Sequence, residues 1–317
     1  MVLELQKEVI RVTNPQGHIL YGILTRPHKK NDSKQLIISC QSGVVAKGEI
    51  GDHLRWVADR LAEQGITVIR FDQHGTGDSQ GECDQDVPIR LFFQKIQDGC
   101  FKDDTLMVID WAIQRFPGYD IFFLGECGGC ISALAAAAER IKNVQGFILI
   151  AMPVLRFSDE IRGPLKIGNH DAKNTGKQYF QKLINPKSWG RLVRGKSDLK
   201  LIFDSIAVLC VNSFRSVCIK NLFQGPFAPD NPSFNQLFWD NLQLIAREKI
   251  PTCFLLPELD NETFEFNVEF KQKILNRQKK RYSTCEVIYL PATDHSIMFL
   301  ESRMAVVNSI LNWIYRG

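Results

Sequence analysis

The sequence has little excess charge of either sign and no long run of apolar residues. Lys and Arg outnumber Asp and Glu by 39 to 35, which leaves a formal net charge of +4 over 317 residues. That charge is too small to indicate nucleic-acid binding, and the sequence carries neither a basic, aromatic-rich groove pattern nor a known nucleic-acid motif. The longest apolar stretches, such as residues 146–154, are far shorter than the roughly 20 residues that cross a bilayer.

Targeting signals and zinc-site spacings are also missing. The first residues, MVLELQKEVIRV, carry charges inside any window that could form a signal peptide. Of the nine cysteines, Cys127 and Cys130 form a C-x-x-C pair, and no second pair stands at zinc spacing. We therefore expect a soluble, cytoplasmic protein with no membrane span, nucleic-acid partner, metal or cofactor. Most of its cysteines are expected to be small buried thiols in a reducing compartment.

Short strand-type runs alternate with amphipathic helical patterns along most of the chain. Residues 8–13 and 20–25 flank a turn and predict a hairpin, and residues 35–40 form a continuous apolar run typical of a buried parallel strand. The alternation continues to residue 151 and resumes at residue 252. This pattern predicts an α/β fold with a mostly parallel central sheet and helices on both faces.

The alternation stops between residues 153 and 249. Helical patterns dominate this stretch, and no convincing buried strand interrupts them. A structureless loop of that length is uncommon in a compact domain, so the stretch is better interpreted as folded helices. We predict one α/β core, residues 1–152 and 250–317, interrupted by a helical cap or lid insertion, residues 153–249.

The most informative string is IFFLGECGGCISALAAAA, in which a strand leads through G-x-C-x-G into a helix. In the related G-x-S-x-G turn the nucleophile has a strained backbone, and small flanking residues are therefore needed. Here Cys127 takes the place of the serine, between Gly125 and Gly129. The helix N-terminus favours a thiolate, and the N–H of Gly128 would point toward the oxyanion of a tetrahedral intermediate. The alternative is a structural cysteine in a tight turn, and Glu126 would oppose a thiolate if it faced the same way.

A nucleophile of this kind needs a base and an orienting acid later in the chain. Only His170 and His295 follow Cys127, and His295 stands in the loop after the last predicted strand. Catalytic groups collect at that edge of a parallel sheet, which favours His295 as the base. His170 lies in the insertion and is interpreted as a solvated loop residue.

The acid is expected in the loop after the preceding strand, which reads PELDN. Asp260 is the predicted acid, and Glu258 is the fallback. Asp294, beside the histidine, is a weaker candidate that would instead shape its loop. The acid would hold His295 in the productive tautomer and stabilise its charged form.

A second oxyanion donor is expected in the loop after the third strand, Gln41-Ser42-Gly43-Val44. The N–H of Val44, next to Gly43, is the best candidate, and a simple turn is the alternative. The string FDQHGTGDSQG after the fourth strand predicts a rigid loop below the site, in which His74 is structural.

The elbow GECGG, the FDQHGTGDS loop, PELD and DHS stand in the order found in the α/β-hydrolase superfamily. Over residues 1–152 and 250–317 the chain resembles that superfamily, and it is similar to the serine-aminopeptidase-like (S33-type) branch. It is also similar to the exosortase-associated hydrolases, which carry a cysteine in the elbow. Two positions depart from the usual pattern: Ser42-Gly43 replaces His-Gly in the oxyanion loop, and Cys127 stands where most members have serine.

A cysteine nucleophile forms a thioester, which reacts with amines, thiols and carbanions more readily than an ester does. We therefore predict an acyltransferase or thioesterase acting on a small-molecule acyl thioester, carried by an acyl carrier protein or coenzyme A. The alternatives are a hydrolase of carboxylic esters or lactones and a non-catalytic binding module on the same fold. The insertion would supply the acyl pocket. Its basic stretch, residues 177–200, is either a solvated helix face or a docking patch for an acidic carrier protein.

Overall fold

The computed structural model describes residues 5–82, 87–157, 229 and 231–316 of the chain. The chain divides into two units, Met1–Phe157 with Asn231–Gly317, and Ser158–Asp230. Apart from Pro229, the second unit lies outside the described residues. His170, the basic stretch 177–200 and most of the predicted cap, residues 153–249, therefore lie outside them too, and the cap stays a prediction.

One sheet of eight strands forms the centre of the described part of the chain. The strands are β1 (Gln6–Thr13), β2 (Ile19–Arg26), β3 (Gln35–Cys40), β4 (Ile66–Phe71), β5 (Asp120–Glu126), β6 (Val144–Ile150), β7 (Thr252–Pro257) and β8 (Cys285–Leu290). Their order in the sheet is β1-β2-β4-β3-β5-β6-β7-β8. The pairs β1–β2 and β2–β4 are antiparallel, and all the other pairs are parallel. The carboxyl ends of β3, β5, β7 and β8 therefore lie along one edge.

Helices cover both faces of this sheet. They are α1 (His53–Glu63), α2 (Ile89–Gln97), α3 (Lys102–Arg115), α4 (Gly128–Ala137), α5 (Gln236–Arg247), α6 (Asn261–Glu265) and α7 (Leu300–Ile314). Short 3-10 helices span Lys29–Asn31, Ile50–Asp52 and Ala138–Asn143, and a π-helix spans Phe266–Leu275. Helices α3, α4 and α5 contribute to one apolar cluster, and α1 and α7 contribute to the other. The predicted fold class is confirmed.

The apolar composition of the central strands follows from the helices that pack on both faces of the sheet. Strands β4 and β7 are buried at every position, and β3 is buried at every position after its first, because helices pack on both of their faces. These are the continuous apolar runs of the sequence. At the edge of the sheet, β1 is antiparallel and exposes most of its residues.

Helix α5 differs from the sequence-based prediction, which placed it inside the insertion 153–249. It belongs to the same unit as the sheet, because that unit resumes at Asn231. Its buried residues Phe238, Leu242 and Ile245 join the apolar cluster that also contains α4. The helical pattern of the sequence was correct, but periodicity alone does not show which partner a helix packs against. Helix α2, in the turn-rich stretch after β4, was not predicted.

None of the helices in the described ranges combines the length and apolar character needed to cross a bilayer.

Candidate active site

Cys127 stands at the sharp turn between β5 and α4. Its backbone has φ 49° and ψ −119°, a left-handed conformation that is strained for a residue with a side chain. A Cβ atom on Gly129 would lie 2.0 Å from the carbonyl oxygen of Cys40, so only glycine fits there. A Cβ on Gly125 would lie 2.6 Å from the Cα of Cys130, which shows how closely strand and helix approach. These contacts explain why small residues flank the cysteine.

His295 lies in the loop between β8 and α7, with its imidazole between an acid and the thiol. Its Nδ1 is 2.8 Å from Oδ2 of Asp260. The His295 side chain also hydrogen-bonds to the side chain of Cys127. Because Nδ1 faces the carboxylate, Nε2 is the atom left for the sulfur. The structure thus brings the predicted nucleophile, base and acid together, with the imidazole hydrogen-bonded to the acid and next to the thiol.

Asp260 is fixed by the helix that follows it. It is the N-cap of α6, and its Oδ1 accepts a hydrogen bond from the backbone N–H of Glu262 at 3.2 Å. The fallback acid, Glu258, is exposed, and its carboxylate accepts the N–H of Ala292 at 3.4 Å. Asp260, which is buried, is the acid that contacts His295.

The other two polar candidates have structural contacts. Asp294 accepts hydrogen bonds from the backbone N–H groups of Ser296 and Ile297, so it shapes the histidine loop as expected. His74 lies 2.7 Å from the buried carboxylate of Asp104, in the loop after β4.

Burial and hydrogen bonding set the protonation of the three groups. Burial raises the pKa of the Cys127 thiol, and the hydrogen bond and charge of His295 offset only part of this rise. Burial therefore opposes the thiolate that the helix N-terminus was expected to favour. Burial lowers the pKa of His295. Its interactions with Asp260 and Cys127 together raise this pKa by more than burial lowers it, so the net shift is upward. Burial raises the pKa of Asp260, but the hydrogen bonds from His295 and Glu262 and the charge of His295 together outweigh it, so the net shift is downward.

Glu262 is a further acid at the site that the sequence-based reasoning missed. Its Oε2 lies 3.9 Å from Nδ1 of His295, and its side chain hydrogen-bonds to Asp260. Burial, followed by this hydrogen bond and the charge of Asp260, raises the pKa of Glu262 to about 8. Its carboxyl group therefore carries a proton at neutral pH and donates a hydrogen bond to the charged Asp260. The D-x-E spacing of Asp260 and Glu262 after β7 was the sequence feature that could have indicated this second acid.

Asp260, Glu262 and His295 also have ligand atoms within 4.8 Å of one another, a spacing at which three such groups can bind a metal ion. A metal ion would compete for the Nδ1 atom and the Asp260 oxygen that already share a hydrogen bond at 2.8 Å. The same atoms cannot orient the imidazole and ligate a metal. The hydrogen-bonded arrangement therefore fits acid–base chemistry better than metal binding.

The oxyanion donors predicted from the sequence lie on two elements. The backbone N–H of Gly128 hydrogen-bonds to the sulfur of Cys127. In the loop after β3, Gly43 has φ 93°, and a Cβ there would lie 2.8 Å from the ring of Phe101. The side chain of Val44 packs against the apolar cluster of which Phe101 is part. A Cβ on Gly128 would lie 2.5 Å from the carbonyl oxygen of Ser42, so the elbow touches this loop. The role of the Val44 N–H stays a prediction.

Glu126, which would oppose a thiolate if it faced Cys127, has its own partner. Its Oε2 lies 2.7 Å from Nε2 of His53, the first residue of α1, and both side chains are buried. Sequence reasoning did not detect this pair, because 73 positions separate the two residues.

Comparison with known proteins shows which proteins this chain is similar to. Residues 46–197 match the family model described as serine aminopeptidase, S33. Monoglyceride lipase of Rattus norvegicus is 28% identical over 214 residues, which cover 64% of this chain and 61% of that protein. The chain therefore spans less than two thirds of the length of this curated relative.

Solved structures with low sequence identity share the fold. An esterase of Pyrococcus furiosus, Pf2001, superposes with a TM-score of 0.56 at 16% identity, covering 98% of this chain and 90% of that one. A thioesterase domain from the curacin biosynthetic pathway superposes with a TM-score of 0.50 at 16% identity, covering 97% of this chain and 99% of that one. The sheet, the elbow and the solved structures together show the α/β-hydrolase fold, and over residues 46–197 the chain is similar to the serine aminopeptidase, S33 family.

Proposed function

We propose that the chain is an acyl-transfer enzyme in which Cys127 is the nucleophile, His295 the base and Asp260 the orienting acid. The observation that carries the proposal is the hydrogen bond, 2.8 Å long, between His295 Nδ1 and the buried carboxylate of Asp260, on an imidazole that also interacts with the Cys127 thiol. Cys127 stands at a strained strand–helix turn, the backbone geometry that presents a nucleophile in this fold. A structural cysteine would require neither the strain nor the histidine.

The first half-reaction transfers the acyl group to sulfur. His295 Nε2 takes the thiol proton as the Cys127 sulfur bonds to the carbonyl carbon of the donor. The carbonyl electron pair moves to oxygen, where the N–H of Gly128 donates a hydrogen bond to the oxyanion. When the intermediate collapses, the bond to the leaving group breaks and His295 returns the proton to that group. Asp260 stabilises the transient imidazolium and keeps its charge throughout.

The second half-reaction releases the acyl group from the Cys127 thioester. His295 takes a proton from water, an amine or a thiol, and that acceptor displaces the sulfur, which recovers a proton from the imidazolium. Because a thioester reacts well with amines and thiols, transfer competes with hydrolysis. We propose an acyl thioester, on coenzyme A or an acyl carrier protein, as the donor.

A carboxylic ester is the second candidate donor. The relative from rat is a monoglyceride lipase, and one structural neighbour is an esterase. The raised pKa of Cys127 also supports this candidate, because a protonated thiol activated by histidine works like the serine of an ester hydrolase. Ester hydrolysis would use the same residues and the same two half-reactions, with water as the acceptor.

Intact-protein mass spectrometry tests the proposal. The chain is mixed with acetyl-, butyryl- and octanoyl-coenzyme A and with the matching 4-nitrophenyl esters. We expect a mass increase equal to one acyl group that disappears in Cys127→Ala and persists in Cys100→Ala, which removes an exposed cysteine. Decay of the adduct with and without added amine or thiol separates transfer from hydrolysis.

The outcomes distinguish the three classes of function. Adducts from the thioesters support the first candidate, and rapid ester turnover with little thioester labelling supports the second. If no donor labels the chain and iodoacetamide also leaves Cys127 unmodified, the enzyme proposal is wrong. A binding module on the same fold is then the better explanation.

A further inference from the structure

Three buried titratable side chains lie close to the nucleophile and take no part in the proton transfers proposed above. They are His53, Glu126 and Glu49, whose exposed fractions are 1%, 4% and 7%. Each belongs to a different element: the start of α1, the end of β5 and the loop after β3. Burying ionisable groups costs free energy unless they are paired, so their contacts indicate what they do.

His53 connects the loop to the elbow. Its Nε2 lies 2.7 Å from the carboxylate of Glu126, and its Nδ1 lies 3.0 Å from the carbonyl oxygen of Ile50. Both ring nitrogens face oxygen acceptors, so a doubly protonated imidazolium donates to both. Burial lowers the pKa of His53. The charge and hydrogen bond of Glu126, with smaller contributions from Ile50 and Glu49, raise it by more, so the net shift of the pKa is upward. The pair fixes the residue immediately before Cys127.

Glu49 holds the backbone of Ser42, the residue before Gly43 in the loop after β3. Its carboxylate accepts a hydrogen bond from the backbone N–H of Ser42. Glu49 itself has φ 59°, a strained value that only its surroundings can maintain. On its other side the Ser42 peptide touches the elbow, because a Cβ on Gly128 would lie 2.5 Å from the Ser42 carbonyl oxygen. Ser42 directly precedes Gly43 and Val44, whose backbone N–H groups are the predicted second source of oxyanion donors.

These contacts form a closed ring around Cys127. The ring begins at Glu126, passes through His53 and Glu49 to Ser42, and returns to the elbow at Gly128. His53 and Glu49 are joined within one turn of the loop, where the N–H of Asp52 donates to the carbonyl of Glu49 at 3.0 Å. The two sides of the oxyanion site are thereby connected through buried side chains and the backbone of residues 49–53.

We propose that Glu126, His53 and Glu49 are positioning residues that hold the oxyanion donors on both sides of Cys127. The inference rests on the proposed acyl-transfer function, in which negative charge develops on the carbonyl oxygen of the donor. Stabilising that charge depends on N–H groups fixed in advance at the right distance. The three side chains act through the backbone of Ser42 and of the elbow, and they do not touch the substrate.

Two reactions of the same sulfur provide the test. Acylation by 4-nitrophenyl acetate passes through an oxyanion, whereas alkylation by iodoacetamide displaces iodide from a saturated carbon and forms none. We expect Glu49→Ala to slow acylation about 10- to 100-fold, within the effect of losing one oxyanion donor, while alkylation of Cys127 changes less than about 2-fold. Glu49→Gln retains an oxygen that accepts the Ser42 N–H, so it should lose much less activity. Glu126→Gln should behave like Glu49→Ala.

The control is Glu248→Gln, which changes an exposed glutamate of the same chain and should leave both rates unchanged. Equal slowing of acylation and alkylation would indicate general damage to the site and would overturn the inference, as would unchanged acylation in Glu49→Ala.

Amide hydrogen exchange separates this inference from the proposed function. If wild-type protein is alkylated but never acylated, the proposed function fails. The inference is then judged from the exchange of residues 42–44 in Glu49→Ala. Faster exchange there than in wild type and in Glu248→Gln supports positioning by Glu49, and unchanged exchange overturns it.

Discussion

Three acidic side chains, Glu258, Asp260 and Asp294, lie within a few residues of strand ends near His295, but their surroundings differ. Glu258 is exposed and Asp294 accepts hydrogen bonds from the backbone of its own loop, while Asp260 is buried and bonded to the imidazole. Desolvation strengthens a charge-assisted hydrogen bond because less water competes for either partner. Burial and contact, rather than residue type, therefore select Asp260.

At this scale we predict the effect of Asp260→Asn. The amide cannot stabilise an imidazolium and favours the wrong tautomer, so acylation of Cys127 should fall about 10³- to 10⁴-fold. Stopped-flow measurement of the acylation burst with 4-nitrophenyl acetate gives the rate. Glu258→Gln, two residues away and exposed, is the matched control and should stay within about 2-fold of wild type. Similar losses in the two variants would contradict the assignment of Asp260 as the acid.

At the scale of elements, local signals in the sequence predicted the β5–α4 elbow well but gave no partner for α5. The elbow is specified by residues adjacent in the chain, since Gly125, Cys127 and Gly129 define one turn. Helix α5 was identified as helical from its periodicity, yet it was assigned to the insertion. Its apolar face, which includes Phe238 and Leu242, packs in the core instead. Amphipathicity requires an apolar partner without saying which one.

Leu242→Ala tests the placement of α5. Leu242 is fully buried in the main apolar cluster, so truncation should lower the free energy of unfolding by about 2–5 kcal/mol. Urea denaturation followed by circular dichroism measures this change. Leu259→Ala, at a position that is 52% exposed, is the control and should cost less than about 0.5 kcal/mol. Equal stabilities of Leu242→Ala and wild type would mean that α5 does not contribute to the core.

At the scale of the whole molecule, two glutamates, the buried Glu49 and the partly buried Glu262, couple the site to stability. Burial and then Asp260 raise the pKa of Glu262 to about 8. Burial and then the charge of Glu126 raise the pKa of Glu49 to about 7. An unfolded glutamate loses its proton near pH 4.3, while the folded protein retains it to the higher pKa. The folded state therefore binds more protons in this window, and the free energy of unfolding must fall as pH rises.

Glu262→Gln should make this decline shallower. The amide cannot titrate, so the fall in thermal midpoint between about pH 5 and pH 8 should be reduced, and the remaining slope belongs to Glu49, His53 and His295, whose pKa values are also raised. Differential scanning fluorimetry over that pH range measures the slope. Glu258→Gln, exposed and in the same loop, serves as the control with an unchanged slope. A wild-type slope in Glu262→Gln would show that Glu262 is ionised in the folded protein.

The sequence by itself determined the succession of strands and helices, the α/β class and the position of the cysteine elbow. It also indicated that His295 and Asp260 follow the strands where catalytic groups collect. These features depend on adjacent residues, on periodicity or on chain order, all of which are visible in one dimension. Cellular location, the cap, the acyl donor and the catalytic roles remain predictions.

Only the tertiary structure decided which side chains meet. It paired His53 with Glu126 across 73 positions and His295 with Asp260 across 35, and it brought Glu262 beside them. It also buries Cys127, and burial raises the pKa of the thiol despite the opposing effect of His295. The physical reason is that desolvation and long-range hydrogen bonds depend on the packing of distant segments, and the local pattern of any one segment carries no record of its neighbours.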